Sequence, residues 1–221
     1  FAADDELCIR DKNATFKEQA VEGAILGAKR SVEEIRFLVE KVQDIPEELP
    51  TLALMDGSLI MLGLLGRGYD DYVRKELLDE GFVAALEQLR KLVVRRRISV
   101  ASYVSMPRSA EIVNAMRMVA CPYEISECSL HCDQIAAVSR PCEDYVGGLM
   151  DRDIWWDVLD PGARSSVFIS SSPLVKNHYG DHGVCFFYIH TGEEIGRVEI
   201  PMWVANNRSL LGLAHSLIYD Q

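Results

Sequence analysis

The sequence has no segment that would span a membrane or direct the chain for secretion. No apolar run approaches the roughly 20 residues that a spanning helix needs, and the first residues do not resemble a signal peptide. Internal repeats and low-complexity stretches are absent as well. With 48% hydrophobic and 26% charged residues and a mean hydropathy of +0.01, the 221-residue chain has an ordinary globular composition. We therefore exclude a disordered, collagen-like or membrane-bundle protein and predict one large domain.

Basic residues are also scarce. Lys and Arg total 23 against 34 Asp and Glu, which gives a formal net charge of −11. This balance argues against a protein that coats nucleic acid with a basic surface. It is compatible with an enzyme that binds metal ions through carboxylates and contacts phosphate through a few local arginines.

Motifs for nucleophilic catalysis are missing. The chain contains no nucleophile elbow and no P-loop, and none of its five histidines is spaced for a catalytic triad. Six cysteines in a chain without secretory features indicate thiols or metal ligands rather than a disulfide framework, and they favour a cytoplasmic location. Carboxylates and cysteines are therefore the candidate functional groups.

Periodicity in the first quarter of the chain predicts a strand, a helix and a strand. Alternating polarity within residues 1–12 predicts a short edge strand, and the Thr-Phe-Lys-Glu pattern at 15–18 predicts a capping box that starts a helix. Apolar residues recur every three to four positions as far as Val42, and this long amphipathic helix ends before Pro46. Residues 51–62 are apolar apart from a central Asp-Gly-Ser, which predicts a buried central strand.

The rest of the chain mixes helices and strands. We predict helices over 69–93, 110–120 and 209–219, strands over 98–105, 184–190 and 195–204, and a hairpin turn at 191–194. Residues 121–165 hold four cysteines, three prolines and two tryptophans with little periodicity, which predicts a long insertion. Strands mixed with helices around a buried strand are typical of an α/β domain.

Asp56 interrupts the apolar run at 51–62. A carboxylate inside such a strand is costly unless it is paired or binds a cation. Gly57 permits a bulge or the close approach of a ligand, and Ser58 adds a hydroxyl. The alternative is a strand that simply ends at an Asp-Gly turn. The apolar run resumes directly after Ser58, which favours a functional site.

A second candidate carboxylate lies on the first helix, where Glu33 and Glu34 are adjacent. On a helical wheel Glu34 lies beside Leu38 at the margin of the apolar stripe, whereas Glu33 points away from it. We therefore favour Glu34 as the residue that faces the interior. A hard ion such as Mg²⁺ or Mn²⁺ needs several oxygen ligands, so Glu34 is a candidate only in combination with Asp56.

Residues 99–117 combine groups that are suited to phosphate. A strand that ends near Tyr103 leads through Pro107 and Arg108 into a helix that carries Asn114. This order brings hydroxyls, helix N-terminal amides and a guanidinium together. The alternative is a capped helix with a solvated Arg108.

Four cysteines, Cys121, Cys128, Cys132 and Cys142, lie within 22 residues, with His131 among them. Four soft ligands at this density could hold tetrahedral zinc or an iron–sulfur cluster. The spacing differs from the paired CxxC of a zinc ribbon, so disulfides and unliganded thiols are the alternatives.

Two charged residues, Arg197 and Glu199, alternate with apolar residues on a predicted strand, so their side chains share one face. They either flank a groove or form the solvent face of an edge strand, a position that Pro201 suits. The solvent face is the interpretation that the sequence favours.

Seven segments, taken in order, carry a resemblance to a known family. They are TLALMDGSLIML (51–62), SVASYVSMPRSAEIVNAMRM (99–118), CPYEISECSLHC, GLMDRDIW, PGARSSVF, VCFFYIHTGEEIGRVEIPMWVA and LLGLAHSLIYDQ. Together they cover essentially the whole chain, and the combination resembles the NurA nucleases in their bacterial form.

The resemblance implies a ribonuclease-H-like mixed sheet with flanking helices, in a single NurA-like domain over 1–221 with a cysteine-rich insertion at 121–165. It implies a DNA nuclease that depends on Mn²⁺ or Mg²⁺ and acts in end resection at double-strand breaks. The implied partners are DNA, a second copy of the chain in a homodimer and a HerA-type hexameric ATPase, and no membrane.

The family's functional residues can be carried over at two positions. Its helix Glu, which follows an Arg, resembles Glu34 after Arg30, and its second strand Asp resembles Asp56. The family's first catalytic Asp lies on a strand upstream of this helix, and its histidine follows the last helix, so His215 comes too early for that role. We therefore expect the functional unit to extend past both ends of the chain.

Under this interpretation DNA is contacted by Ser58, Tyr103, Arg108 and Asn114. The alternative function is a non-catalytic module of the repair machinery that serves dimerisation and docking. Leu26 and Phe37 lie off the main stripe of the first helix and could supply its interface.

Overall fold

The computed structural model describes residues 6–10, 16–20, 23–65, 71–124, 127–135 and 140–220, the first two ranges by their backbone. The chain divides into two compact units. Unit 1 comprises Phe1–Tyr103, Val167–Phe186 and Val198–Gln221, and unit 2 comprises Val104–Ser166 and Phe187–Arg197. Within the described ranges, no helix is long and apolar enough to cross a membrane.

Strands and helices are mixed along the chain. The strands are β1 (Glu6–Arg10), β2 (Phe16–Ala20), β3 (Thr51–Asp56), β4 (Ile98–Val104), β5 (Phe168–Ile169), β6 (Val184–His190) and β7 (Ile195–Pro201). The helices are α1 (Gly23–Asp44), α2 (Asp71–Arg74), α3 (Ala84–Leu92), α4 (Glu111–Ala120), α5 (Cys128–Cys132), α6 (Glu143–Val146), α7 (Asp151–Trp156), α8 (Pro173–His178), α9 (Met202–Ala205) and α10 (Arg208–Tyr219). A π-helical segment, Lys75–Val83, joins α2 to α3.

The first two strands form an antiparallel hairpin, in which Glu6 pairs with Ala20 and Arg10 with Phe16. The strand predicted within residues 1–12 is thereby confirmed. The capping box predicted at 15–18 is wrong, because β2 occupies residues 16–20 and the helix begins at Gly23. Thr15 itself lies outside the described residues. A capping pattern is local, whereas the strand depends on pairing with a segment elsewhere in the chain.

Helix α1 is the amphipathic helix that the apolar periodicity predicts. Its buried residues recur every three or four positions, and they are Ile25, Ala28, Val32, Ile35, Val39 and Val42. At its carboxyl end, the Arg96 guanidinium donates hydrogen bonds to the carbonyls of Val42 and Ile45. Carbonyls that the helix itself cannot satisfy therefore receive a cationic partner.

Strand β3 is shorter than the predicted strand at 51–62. It ends at Asp56, because the chain turns at Gly57, whose φ is +103°. The next apolar residues lie buried in a loop, and they are Leu59, Ile60 and Met61. The prediction of a longer strand is therefore wrong, since a buried loop and a buried strand leave the same apolar run in the sequence.

The segment from α2 to α3 runs as one helical stretch from Asp71 to Leu92, as predicted for 69–93, with residues 66–70 outside the description. Its π-helical turn packs closely against α1 at Gly81. A Cβ added at Gly81 would lie 2.9 Å from the Glu76 carbonyl oxygen and 3.1 Å from Val32 Cγ2. Glycine thus permits the close approach of α1, the helix that carries Glu34.

Five strands form a mixed sheet in the order β3-β4-β7-β6-β5. Strand β3 runs parallel to β4, and β5 runs antiparallel to β6. Every residue of β6 and of β7 is buried, which places these two strands inside the core. In this described sheet β3 is an edge strand, not the predicted central one, and it is apolar because both α1 and α10 pack against it. The prediction of a mixed α/β fold with flanking helices is confirmed.

The solvent-face interpretation of Arg197 and Glu199 is wrong. Strand β7 lies between β4 and β6, and the two residues are only 4% and 3% exposed. Each has a polar partner: Arg197 donates to Glu111 at 2.8 Å, and Glu199 accepts from Ser58 at 2.7 Å. The strand ends at Pro201 rather than at 204, because α9 follows directly.

In unit 2, the carboxylate of Asp151 caps helix α4. It accepts hydrogen bonds from the amides of Glu111, Ile112 and Val113 at 2.9–3.0 Å and from the Tyr188 hydroxyl at 2.7 Å. Asp151 is fully buried, and a buried carboxylate is tolerated only when its oxygens are satisfied in this way. The helix predicted at 110–120 is confirmed as α4, and Asp151 secures its first turn.

We expect Gly81→Ala to lower the free energy of unfolding by about 1–3 kcal/mol, although alanine favours helices. The added methyl group would meet the fixed carbonyl of Glu76 and the side chain of Val32. Denaturant unfolding of the full chain measures the effect. Gly212→Ala on α10 is the control, because a Cβ there has nothing within 4 Å and the substitution should be neutral or stabilising. Equal stability of Gly81→Ala and the wild type would contradict the close packing.

We also expect Asp151→Ala to lower the free energy of unfolding by roughly 2–4 kcal/mol, because three amides and a buried hydroxyl lose their acceptor. The control is Asp153→Ala in the same helix, since exposed Asp153 accepts from the Met150 amide at 2.8 Å. Asp153→Ala should lower the free energy of unfolding by about 1 kcal/mol or less. Thermal and denaturant unfolding measure both, and equal losses in the two variants would count against the role of Asp151.

Candidate functional site

Asp56 closes β3 at the carboxyl end of two parallel strands. Its register partner on β4 is Tyr103, and the Gly57 amide donates to the Tyr103 carbonyl at 2.9 Å. The Asp56 side chain is exposed, and Tyr103 is half-buried. Carboxyl ends of parallel strands are where α/β proteins commonly bind ligands. The Asp-Gly turn, which the sequence offered as the alternative, therefore presents a carboxylate to solvent.

Glu34 lies against the end of β3. Its Oε1 accepts a hydrogen bond from the Asp56 amide at 3.2 Å, although the two residues are 22 positions apart. Glu33 is exposed and pairs with Arg36 at 2.9 Å. The fold thus brings Glu34, and not Glu33, next to Asp56, on the side that the helical wheel indicates.

Two buried side chains hold the loop after β3. Glu199 Oε2 accepts from Ser58 Oγ at 2.7 Å and from the Leu59 amide at 2.8 Å. The Tyr179 hydroxyl donates to the Leu59 carbonyl at 2.7 Å and accepts from the Met61 amide at 3.2 Å. Burial raises the pKa of Tyr179, so the hydroxyl stays protonated and able to donate. Polar groups of an irregular segment are thereby satisfied inside the core.

Sequence reasoning missed this support of the loop. Tyr179 carried no motif, and Glu199 was interpreted as a solvent-facing residue. Glu199 and Ser58 are 141 positions apart, so no local pattern joins them. The available signal is the pair of charged residues, Arg197 and Glu199, on an otherwise apolar strand.

A groove of about 320 Å³ lies between α1 and the loop after β3. Its lining residues are Ala24, Gly27, Ala28, Ser31, Ser58, Ile60, Met61, Leu62 and Gly63. Small side chains on α1 keep it open, and a Cβ added at Gly27 would meet nothing within 4 Å. Because Ser58 belongs to the loop that begins at Asp56, the groove lies beside the carboxylates.

The other predicted phosphate contacts, Arg108 and Asn114, belong to unit 2. Both are exposed, and Asn114 accepts a hydrogen bond from Arg117. The expectation that amides at the start of this helix bind phosphate is wrong, because Asp151 accepts from three of them. The exposed Arg108 stays a predicted phosphate contact, without those amides.

The predicted cysteine cluster also lies in unit 2. Cys121, Cys128, Cys132 and Cys142 are free thiols, so the disulfide alternative is not realised. Burial raises the pKa of Cys132, and the neighbouring thiols of Cys128 and Cys121 raise it further. Among the residues that the structure describes, no group of three or more His, Cys, Asp or Glu is arranged to hold a metal ion. Zinc or iron–sulfur at these cysteines stays a prediction, which metal analysis of purified protein checks.

His131, which lies among these cysteines in the sequence, contacts an aromatic ring and a carboxylate. Its ring stacks on Tyr123 with centroids 4.0 Å apart, and Nε2 lies 3.6 Å from Glu127 Oε2. These contacts orient the imidazole within its own segment.

Comparison with known proteins gives one match. No curated protein matches the sequence significantly, and no solved structure does so either. The NurA domain family matches residues 3–220, nearly the whole chain. The family contains nucleases, and the resemblance carried by the motifs is confirmed. The chain belongs to the NurA family of nucleases.

Proposed function

We propose that the protein is a divalent-metal-dependent DNA nuclease whose ion is held by Asp56 and Glu34. The observation that carries this proposal is the contact between Glu34 and the end of β3, at 3.2 Å from the Asp56 amide. It joins two carboxylate residues from distant segments at the carboxyl end of parallel strands. Membership of the NurA family supports the same chemistry.

The donor set fits a hard cation. Carboxylate oxygens are the ligands that Mg²⁺ and Mn²⁺ prefer, and Mg²⁺ is commonly held by one or two carboxylates together with waters and substrate phosphates. Asp56 is exposed, so its carboxylate is accessible to an ion and to a phosphodiester. Glu34 is half-buried on a rigid helix, which limits the positions that its carboxylate can take.

A bound ion would supply Lewis acidity toward the phosphodiester and a lowered pKa of the attacking water. The chain's own residues would position the ion and the DNA. The Glu34 carboxylate is held against the Asp56 amide, and the exposed Asp56 side chain lies directly before the turn at Gly57. We propose that Ser58 and Tyr103, beside these carboxylates, contact DNA, and that Arg108 and Asn114 contact DNA from unit 2.

The groove between α1 and the loop after β3 is the proposed path of the DNA strand. Its walls are small or apolar side chains with the hydroxyls of Ser31 and Ser58. Such a lining offers few hydrogen-bonding groups to base edges, so it does not favour one sequence over another. The overall acidic charge is compatible with this role, because the contacts that bind DNA are local.

Further parts of the proposal rest on the family resemblance. We propose a ribonuclease-H-like core, a cytoplasmic location and a role in end resection at double-strand breaks with a HerA-type ATPase. A homodimer is supported by Phe37, which is 56% exposed on α1, with Leu26 half-buried on the same helix. Large exposed apolar side chains are commonly part of interfaces.

We expect Asp56→Ala and Glu34→Gln each to reduce Mn²⁺-dependent degradation of single-stranded DNA by at least about 10–100-fold. Glu34→Gln preserves an acceptor for the Asp56 amide but removes the charge. A loss of activity in this variant would therefore report on ion binding. Initial rates across a Mn²⁺ titration measure the effect.

Glu33→Gln is the matched control for Glu34→Gln, because Glu33 is the adjacent carboxylate and pairs with Arg36 on the surface. It should leave the rate within about twofold of the wild type. Undiminished activity of Asp56→Ala would rule out the proposed site. Equal losses in the Glu33 and Glu34 variants would instead assign the effect to the overall charge of α1.

We expect Gly27→Gln to reduce activity on DNA by about 10- to 100-fold while the fold stays intact, because the new side chain projects into open space in the groove. The same substitution at Gly212 is the control, since a Cβ there also meets nothing within 4 Å. Nuclease rates and thermal unfolding are compared for both. Full activity of Gly27→Gln would show that DNA does not pass through the groove.

A further inference from the structure

The segment between Asp56 and Leu62 is irregular, yet its polar groups are bound. The Ile60 amide donates to Ser58 Oγ at 3.0 Å, and the Leu62 amide donates to the Ile60 carbonyl. With the bonds from Glu199 and Tyr179, most of the loop's backbone has a defined partner. A loop satisfied to this extent holds a single conformation.

Glu199 makes the central pair of these bonds. A single carboxylate oxygen, Oε2, receives both the Ser58 hydroxyl and the Leu59 amide, at 2.7 and 2.8 Å. The residue is 3% exposed and lies on the fully buried strand β7. Charge-assisted bonds of this length are among the strongest that a carboxylate forms, and burial increases their strength.

The two bonds of Glu199 lie close to Asp56 in the sequence. Ser58 and Leu59 lie two and three positions after Asp56, and only the flexible Gly57 separates Asp56 from Ser58. Gly57 adopts a positive φ that glycine tolerates without strain, and the bonds on either side of the turn fix its direction. Pairing of Asp56 with Tyr103 fixes the position of the chain before the turn, and the bond from Ser58 to Glu199 fixes its position after the turn.

We propose that Glu199 is the positioning residue of the metal site: by holding Ser58 and Leu59 it sets the orientation of the Asp56 carboxylate toward the ion. This inference rests on the proposed function, since it assumes that Asp56 binds the ion. Glu199 acts through the loop, whose Ser58 hydroxyl and Leu59 amide both bind its Oε2. Mutation of a residue that orients a metal ligand through a hydrogen bond typically weakens metal affinity about 10–100-fold.

The test measures Mn²⁺ binding to the full chain without DNA, by electron paramagnetic resonance of the free ion. We expect Glu199→Ala to weaken binding by about 10–100-fold and Ser58→Ala, which removes one of the two bonds, by a smaller factor. Glu199→Gln should rescue binding to within about threefold of the wild type, because the amide oxygen can accept both bonds. Hydrogen exchange of the metal-free protein should show faster exchange of the Leu59 amide in Glu199→Ala.

The chain offers a matched control in unit 2. Glu194 Oε2 accepts from Ser105 Oγ at 2.9 Å and from the Met106 amide at 3.0 Å, which is the same pair of bonds on a different loop. Glu194→Ala should therefore leave Mn²⁺ binding unchanged. A loss equal to that of Glu199→Ala would assign the effect to general loosening of the protein.

Three outcomes would overturn the inference. Unchanged Mn²⁺ binding in Glu199→Ala would show that the bonds serve stability alone. A loss in Glu199→Gln as large as in Glu199→Ala would make Glu199 a direct ligand. If Glu199→Ala fails to fold, Ser58→Ala decides, and unchanged binding there contradicts the proposal. Asp56→Ala in the same assay distinguishes a failure of this inference from a failure of the proposed function. Unchanged Mn²⁺ binding in Asp56→Ala contradicts the proposed function itself.

Discussion

The site depends on one reversal of the chain, at Gly57. Its positive φ ends β3 directly after Asp56 and returns the following residues to the interior. An L-residue with a Cβ is strained in this conformation, whereas glycine adopts it readily. The same turn therefore exposes a carboxylate and buries Leu59, which is 0% exposed.

Buried carboxylates accept hydrogen bonds from backbone amides in both units. Glu199 binds the loop after β3 in unit 1, and Asp151 binds the first turn of α4 in unit 2. In each case the charge is offset by donors from a segment far away in sequence. Neither residue is accessible to solvent, so the bonds are not weakened by competition with water.

The helix that carries Glu34 is positioned from two directions. Gly81 lets the π-helical segment approach Val32, and Arg96 binds the carbonyls at the carboxyl end of α1. The helix and the end of the strand together bring the Glu34 carboxylate to the Asp56 amide, 3.2 Å away. Both candidate carboxylate residues therefore lie on regular elements of the fold, Glu34 on α1 and Asp56 at the end of β3.

Much of this protein follows from its sequence. The periodicity of α1 placed Glu34 rather than Glu33 toward the interior, and the motifs identified the family, which the match over residues 3–220 confirms. Tertiary structure decided where β3 ends, that residues 16–20 form a strand, and that Glu199 is buried. The strand at 16–20 depends on pairing with β1, and the burial of Glu199 depends on its bond to Ser58, 141 positions away. Local patterns record which side chains avoid water, but not which distant partner satisfies a polar group, and that partner is chosen only when the chain has folded.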